Sequence, residues 1–297
     1  MSRFRGTTTS TTSSAGTRWR STIVLVVASL IGLACFLYPF ILPIGSQLTD
    51  ENAAHASLAP LLFAAVVGVC LVAILVSMAD EGGVSRSRSV ALLGVLVAVD
   101  ATLRLVPSIL GASAIFLLII LAGVVFGPAM GFQMGVLTLL FSALITGGIG
   151  PWLPFQMLGA GWVGLSAGWL PNRGPMPVRI AAIAVFGAVW GFVFGALMNL
   201  WFWPFAAPGA GAGADAGLYW SPELGAWETA VRYLRFYVVT SLGFDVARAA
   251  GNLVLVLVFG APILRLLERY KSRFTWQPWT ELEPVGADAD RHPMPIR

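Results

Sequence analysis

Long apolar stretches, separated by short polar or Gly/Pro-rich joints, dominate the chain. They run over roughly 22–44, 59–79, 88–106, 112–126, 129–146, 153–170, 179–203 and 243–264. A helix needs about 20 apolar residues to cross the hydrocarbon core of a bilayer, so the pattern predicts about eight spans. The fourth run is short and is expected to tilt or to be partly broken. Gly127-Pro128 ends one helix and starts the next, and Pro151 and Pro154 separate the fifth run from the sixth. The first run is longer than a signal-peptide core and lacks a clean small-residue cleavage site, so it is read as a retained span.

Charge placement tests this count. An even number of spans puts both termini on one side, and the cytoplasmic side should hold most Lys and Arg. With cytoplasmic termini, Arg3, Arg5, Arg18, Arg20, Arg86, Arg88, Arg173, Arg179, Arg265, Arg269, Lys271, Arg273, Arg291 and Arg297 fall inside, fourteen of the eighteen cations. Arg104, Arg232, Arg235 and Arg248 fall at or near the outer face. The expected fold is therefore an all-α polytopic membrane helix bundle with both termini cytoplasmic. Its ends are a flexible cytoplasmic tail over 1–21 and a second tail over 271–297.

Composition narrows the function. Only 11% of the 297 residues are charged and mean hydropathy is +0.82; soluble domains carry about 25% charge, so a water-soluble or disordered chain is excluded. Cys35 and Cys70 lie in apolar runs, while His55 and His292 lie in polar connecting sequence. That leaves no disulfide framework, metal-ligand set or histidine chemistry within the membrane. No cofactor is expected, and the net charge of +4 follows membrane topology rather than a nucleic-acid footprint.

Ionisable groups inside spans are costly and mark pathways, partners or ligands. Asp100 and Arg104 lie four apart near the outer end of span three. Asp245, Arg248 and Asn252 share one helical face of span eight. Asn199 and Gln156 belong to the same outer half. Either each acid neutralises its own neighbouring arginine and staples helices, or these groups, drawn from four spans at one depth, line a small-molecule pocket. Trp152, Phe155, Trp162, Trp201 and Trp203 are expected at that level, with Trp152 in a Pro-bounded loop able to bend over a site. Residues 227–242 mix Trp227, Arg232, Tyr233, Arg235, Phe236 and Tyr237, which suits a helix at the outer interface or an extension of span eight. Small residues four apart, including Gly131/Gly135 and Gly187/Gly191/Gly195, let membrane helices approach closely.

Four stretches carry a resemblance: Val90–Arg104, Phe116–Pro128, Thr146–Met157 and Thr240–Asn252. Together they resemble the substrate-binding S components of energy-coupling-factor (ECF) vitamin transporters. The similarity covers 86–270, a six-helix core, and leaves two N-terminal helices over 22–80 outside it. It implies a protein that is no enzyme, that captures a vitamin-like ligand at the outer face of the plasma membrane, and that docks on a T component carrying two ABC ATPases. Asp100, Arg104, Trp152, Gln156, Asn199, Asp245, Arg248 and Asn252 are the expected substrate-binding residues. The family's Ala-x-x-x-Ala docking motif finds its nearest counterpart in Gly94-x-x-x-Ala98-x-x-x-Thr102 with Ala91 beside it, although Val95 stands four residues after Ala91. A lid is expected at Val106–Ala114, helped by Gly148–Pro154. The Gly150–Gln156 stretch, Gly-Pro-Trp-Leu-Pro-Phe-Gln, is most similar to S components associated with cobalamin-like compounds. The competing readings are a self-contained secondary carrier, for which no internal repeat is visible, an intramembrane enzyme, for which no nucleophile and base pair is visible, and a structural membrane subunit.

Overall fold

The computed structural model describes residues 13–41, 61, 64–76, 83–106, 113–206, 217–221 and 223–274. The regular elements among them are helices: α1 (Ser13–Ile41), α2 (Ala64–Val76), α3 (Gly83–Leu103), α4 (Ile115–Phe126), α5 (Pro128–Thr146), α6 (Leu153–Ala167), α7 (Met176–Phe202), α8 (Ala226–Thr240) and α9 (Leu242–Phe274). A 3-10 turn, Trp203–Phe205, closes α7. By length and composition α5, α7 and most of α9 can each cross a membrane, and α1, α2 and α4 carry shorter apolar stretches. Among the described residues the fold is all-helical, a polytopic membrane bundle.

Its centre is α4. Every residue from Ile115 to Val125 is buried, which fits a helix apolar all round. Twelve residues rise only about 18 Å, less than a bilayer core, but α5, α6 and α9 pack around α4, so its backbone ends need not meet lipid. At its C-terminus Gly127 takes φ 100°, a conformation that favours glycine, and Pro128 opens α5 where its missing N–H costs nothing. The Lys271 ammonium donates to the Val125 carbonyl, satisfying one acceptor that the end of α4 leaves open.

Glycines set the closest approaches. Gly123, Gly131 and Gly164 meet where α4, α5 and α6 cross, and a Cβ on Gly131 or Gly164 would fall on the other's backbone. The α7–α9 contact uses Gly187, Gly191 and Gly195, one every four residues. In both places a missing side chain lets backbones touch, as the small-residue spacing predicts.

Outside this group, α1 packs antiparallel on α6. Phe36 meets Phe155 edge-on at 4.9 Å and Trp162 at 5.6 Å, Gly32 lies against Leu158, and Trp162 donates from Nε1 to Ser29 Oγ at 3.1 Å.

Helix boundaries differ from the apolar runs. The first helix begins at Ser13, well before the run that starts at 22, and α9 continues ten residues past 264. Hydropathy marks where a helix meets lipid, whereas Arg, Leu, Glu and Lys continue a helix readily into water. The fragment 227–242 is a helix of its own, broken from α9 at Ser241. His55, His292, tail residues 1–12 and 275–297, and most of the expected lid at 106–114 lie outside the described residues.

Candidate functional site

Neighbouring antiparallel helices bring the expected polar residues to one end of the bundle. Asp100 and Arg104 close α3, Gln156 opens α6, Asn199 is near the end of α7, and Asp245 begins α9. The opposite end is held by the Arg179–Glu268 ion pair, 2.5 Å between α7 and α9, and by the Lys271 contact to α4.

The first cluster joins α3, α5 and α6. Asp100 is completely buried and its Oδ2 accepts from Thr138 Oγ1 at 3.0 Å; its Oδ1 is buried with no protein partner. Arg104 reaches across to α5 and α6, donating from Nη1 to Ser142 Oγ at 2.8 Å and from Nη2 to Gln156 Oε1 at 3.3 Å. Asp100 and Arg104, a possible pair by spacing, thus take separate partners. Thr138 and Ser142 were not singled out from sequence. Their signal is the spacing Thr138, Ser142, Thr146, one hydroxyl per turn along α5, with Thr138 and Ser142 buried.

The second cluster joins α7 and α9. Asp245, fully buried, forms an ion pair with Arg248 and accepts from Ser241 Oγ at 3.0 Å. The Arg248 guanidinium also donates to the Gly191 carbonyl at 3.2 Å and lies 5.6 Å from the centre of the Phe194 ring, a cation–π distance. One further turn along, Asn252 donates to the Gly187 carbonyl at 2.9 Å, leaving its buried Oδ1 unpaired. Asp245, Arg248 and Asn252 of α9 therefore sit opposite the glycine stripe of α7, and a Cβ at Gly195 would collide with the Asp245 carboxylate.

From α8, Tyr237 faces the Asp245 carboxylate. Burial first, then its approach to that carboxylate and the negative charge there push its phenol up to about 12, against a lowering by Arg248. The Tyr233 hydroxyl donates to the Ala196 carbonyl at 2.5 Å, and Asn199 donates to Thr240 Oγ1 at 3.1 Å. These two bonds tie α8 to α7. Ser241, in the break between α8 and α9, was also missed, and Tyr237 was read from sequence only as part of an interfacial helix.

Aromatic rings lie between the clusters. Phe116 at the start of α4 meets Phe194 edge-on at 5.0 Å, and Phe155, next to Gln156, meets Trp201 at 5.0 Å. Trp152, 43% exposed, stands at the start of α6. Trp203 is buried and donates to the Leu218 carbonyl at 2.8 Å. Trp162, expected at the same level, lies nearly two turns further along α6 and packs on α1 instead.

On α3 the small residues Ala91, Gly94, Ala98 and Thr102 are all exposed, while Leu93, Val97, Asp100 and Ala101 face inward. A Cβ at Gly94 would enter open space. Among the described residues no group of His, Cys, Asp and Glu could hold a metal ion.

The family model described as "ECF transporter, substrate-specific component" matches residues 88–260, more than half of the chain. No curated protein and no solved structure matches it.

Proposed function

This chain belongs to the substrate-specific components of ECF transporters, membrane-embedded binding and transport subunits rather than enzymes, and on that premise we propose that it captures a polar, ring-bearing micronutrient at the α3–α9 end of the bundle. The reading rests on one observation: both polar clusters gather at one end, around the start of α4, with aromatic rings between them. The half-buried Arg104 and Gln156 and the exposed Trp152 are the direct contacts on one side, and Asn199 and Arg248 those on the other. Asp245 and Asn252, both buried, hold the second wall, and Asp245 orients Arg248. Few charged and amide groups set among aromatic surface suit a vitamin-like ligand, and a cobalamin-like compound is the first to test.

We place this end outside the cell, with α1 and α2 added to a core of α3–α7 and α9, eight crossings in all and both termini cytoplasmic. The arginine distribution supports that orientation. A ligand shifts a conformational equilibrium only by its differential affinity for two states, so uptake against a gradient needs outside energy. In this proposal a T component with two ATPases supplies it, docked on the Ala91–Gly94–Ala98–Thr102 stripe. One specific observation favours a second reading for part of the site: the Asp245–Arg248 pair is satisfied within the protein, as a helix staple would be.

The test is mass spectrometry of the small molecule and subunits that co-purify with the full chain from its native membrane, followed by calorimetry with the released compound or with cobalamin. One bound micronutrient, with affinity lost in Arg104→Ala and Gln156→Ala, is the expected result. A bound compound whose affinity both substitutions leave unchanged removes the site assignment.

A further inference from the structure

Among the described residues four arginines are not exposed: Arg104, Arg179, Arg232 and Arg248. Three of them are paired with an acid, Arg179 with Glu268, Arg232 with Glu228 and Arg248 with Asp245. Arg104 is the exception. Its Nη1 and Nη2 donate to a serine hydroxyl and a glutamine carbonyl, both neutral. Asp100, one turn back on α3, is turned elsewhere: its carboxyl is completely buried and bonded to Thr138 on α5.

Taking the proposed function as given, we infer that Arg104 is an oxyanion site and that the micronutrient bound at this end carries a carboxylate or a phosphate. A half-buried cation with no acid bonded to it keeps a desolvation cost that an anionic ligand offsets. The donors for such a ligand are in place. A guanidinium presents five N–H groups in a planar fork, and only two of Arg104's are engaged among the described residues. The Gln156 bond, at 3.3 Å, lies just beyond the usual N–H···O range. An incoming oxyanion therefore displaces it at little cost and gains a charge-assisted, two-point contact in return. The half-buried Gln156 side chain then has its own N–H2 group to offer.

The backbone favours the same sign of charge. Both α4 and α6 open at this end with no acid in the first turn and no side-chain cap, whereas α9 has Asp245 in its first turn. An uncapped helix N-terminus carries partial positive charge. Trp152, 43% exposed, stands one turn before Gln156 on the same face of α6 and sets ring surface beside it. Arg248, across the site, is already neutralised by Asp245. The charged group of the ligand thus belongs against α3 and α6, and its neutral part against α7 and α9.

Three probes that share a ring and differ in charge decide the matter: benzoate, phenyl phosphate and benzamide. Each is titrated into the full chain in detergent at pH 7, with binding read by calorimetry and by tryptophan fluorescence. At least one of the two anions is expected to bind about tenfold more tightly than benzamide, and which one does so separates a carboxylate ligand from a phosphate ligand. Arg104→Gln should erase that margin, and Arg104→Lys, which keeps the charge without the fork, should retain part of it. Benzamide binding as tightly as both anions overturns the inference, as does binding of none of the three, or an anion preference that Arg104→Gln leaves unchanged. A co-purified compound that carries no anionic group, yet loses affinity in Arg104→Ala and Gln156→Ala, also overturns it while leaving the site assignment standing.

Discussion

Removing the Asp245 carboxylate separates a staple from a ligand contact. In Asp245→Ala the Arg248 guanidinium keeps the Gly191 carbonyl at 3.2 Å and the Phe194 ring, but loses its only counter-charge among the described residues. Breaking a buried pair on one side costs about 3–5 kcal/mol. The Arg248 side chain is 16% exposed and keeps two partners, so the lower end, about 3 kcal/mol, is expected. Replacing both charges removes the uncompensated cation. Asp245→Ala/Arg248→Met should therefore return to within about 1 kcal/mol of the wild type, about 2 kcal/mol more stable than Asp245→Ala alone. Stability is read from unfolding in detergent followed by tryptophan fluorescence, and binding from calorimetry with cobalamin or with the compound that co-purifies. If Arg248 touches ligand, the double variant regains stability and stays unable to bind. A double variant as unstable as the single refutes the charge argument, and one that binds like the wild type removes Arg248 from the site.

Three further outcomes follow from the geometry. Gly94→Leu and Ala98→Leu point into open space, so stability should stay within about 0.5 kcal/mol and ligand binding should persist, while uptake and co-purification with the T component are lost; normal uptake by both variants would refute the docking stripe. Gly164→Ala forces a methyl onto the Gly131 backbone, and overpacking of this kind costs about 1–3 kcal/mol, so an unfolding temperature equal to that of the wild type would contradict the close α5–α6 crossing. Tyr237, raised to about 12, releases its proton more easily when unfolded, at an ordinary value near 10. Its contribution to stability is therefore constant below about pH 10 and falls as pH rises from about 10 to 12. Tyr237→Phe should shed that part of the alkaline loss, which a stability–pH curve measures.

The site was half legible in the sequence. Charge inside apolar runs is rare enough that Asp100, Arg104, Asp245 and Arg248 identify themselves, and the helix count places them at one end. Their partners do not. Asp245 and Arg248 pair as their spacing suggests, but Asp100 turns to Thr138 and Arg104 to Ser142 and Gln156, because α5 packs on α3 there and α6 lies against α5. Thr138 and Ser142 lie within an ordinary apolar run, where isolated hydroxyls are unremarkable until another helix brings a charge against them. Trp162 shows the same limit: at the sequence level it belongs with the interfacial aromatics, yet α1 captures it.

The amino-acid sequence by itself determined a membrane-embedded helical protein, the joints at Gly127-Pro128 and Pro151–Pro154, and the face of α3 that carries small residues. These depend on transfer of side chains into lipid and on backbone rules that act within a turn or two of the chain. Only the tertiary structure decided that α4 would be jacketed on all sides, that α7 glycines would receive the polar face of α9, and that α1 would pack on α6. Those outcomes depend on which helix faces meet, and a face acquires a partner only when distant segments close on one another.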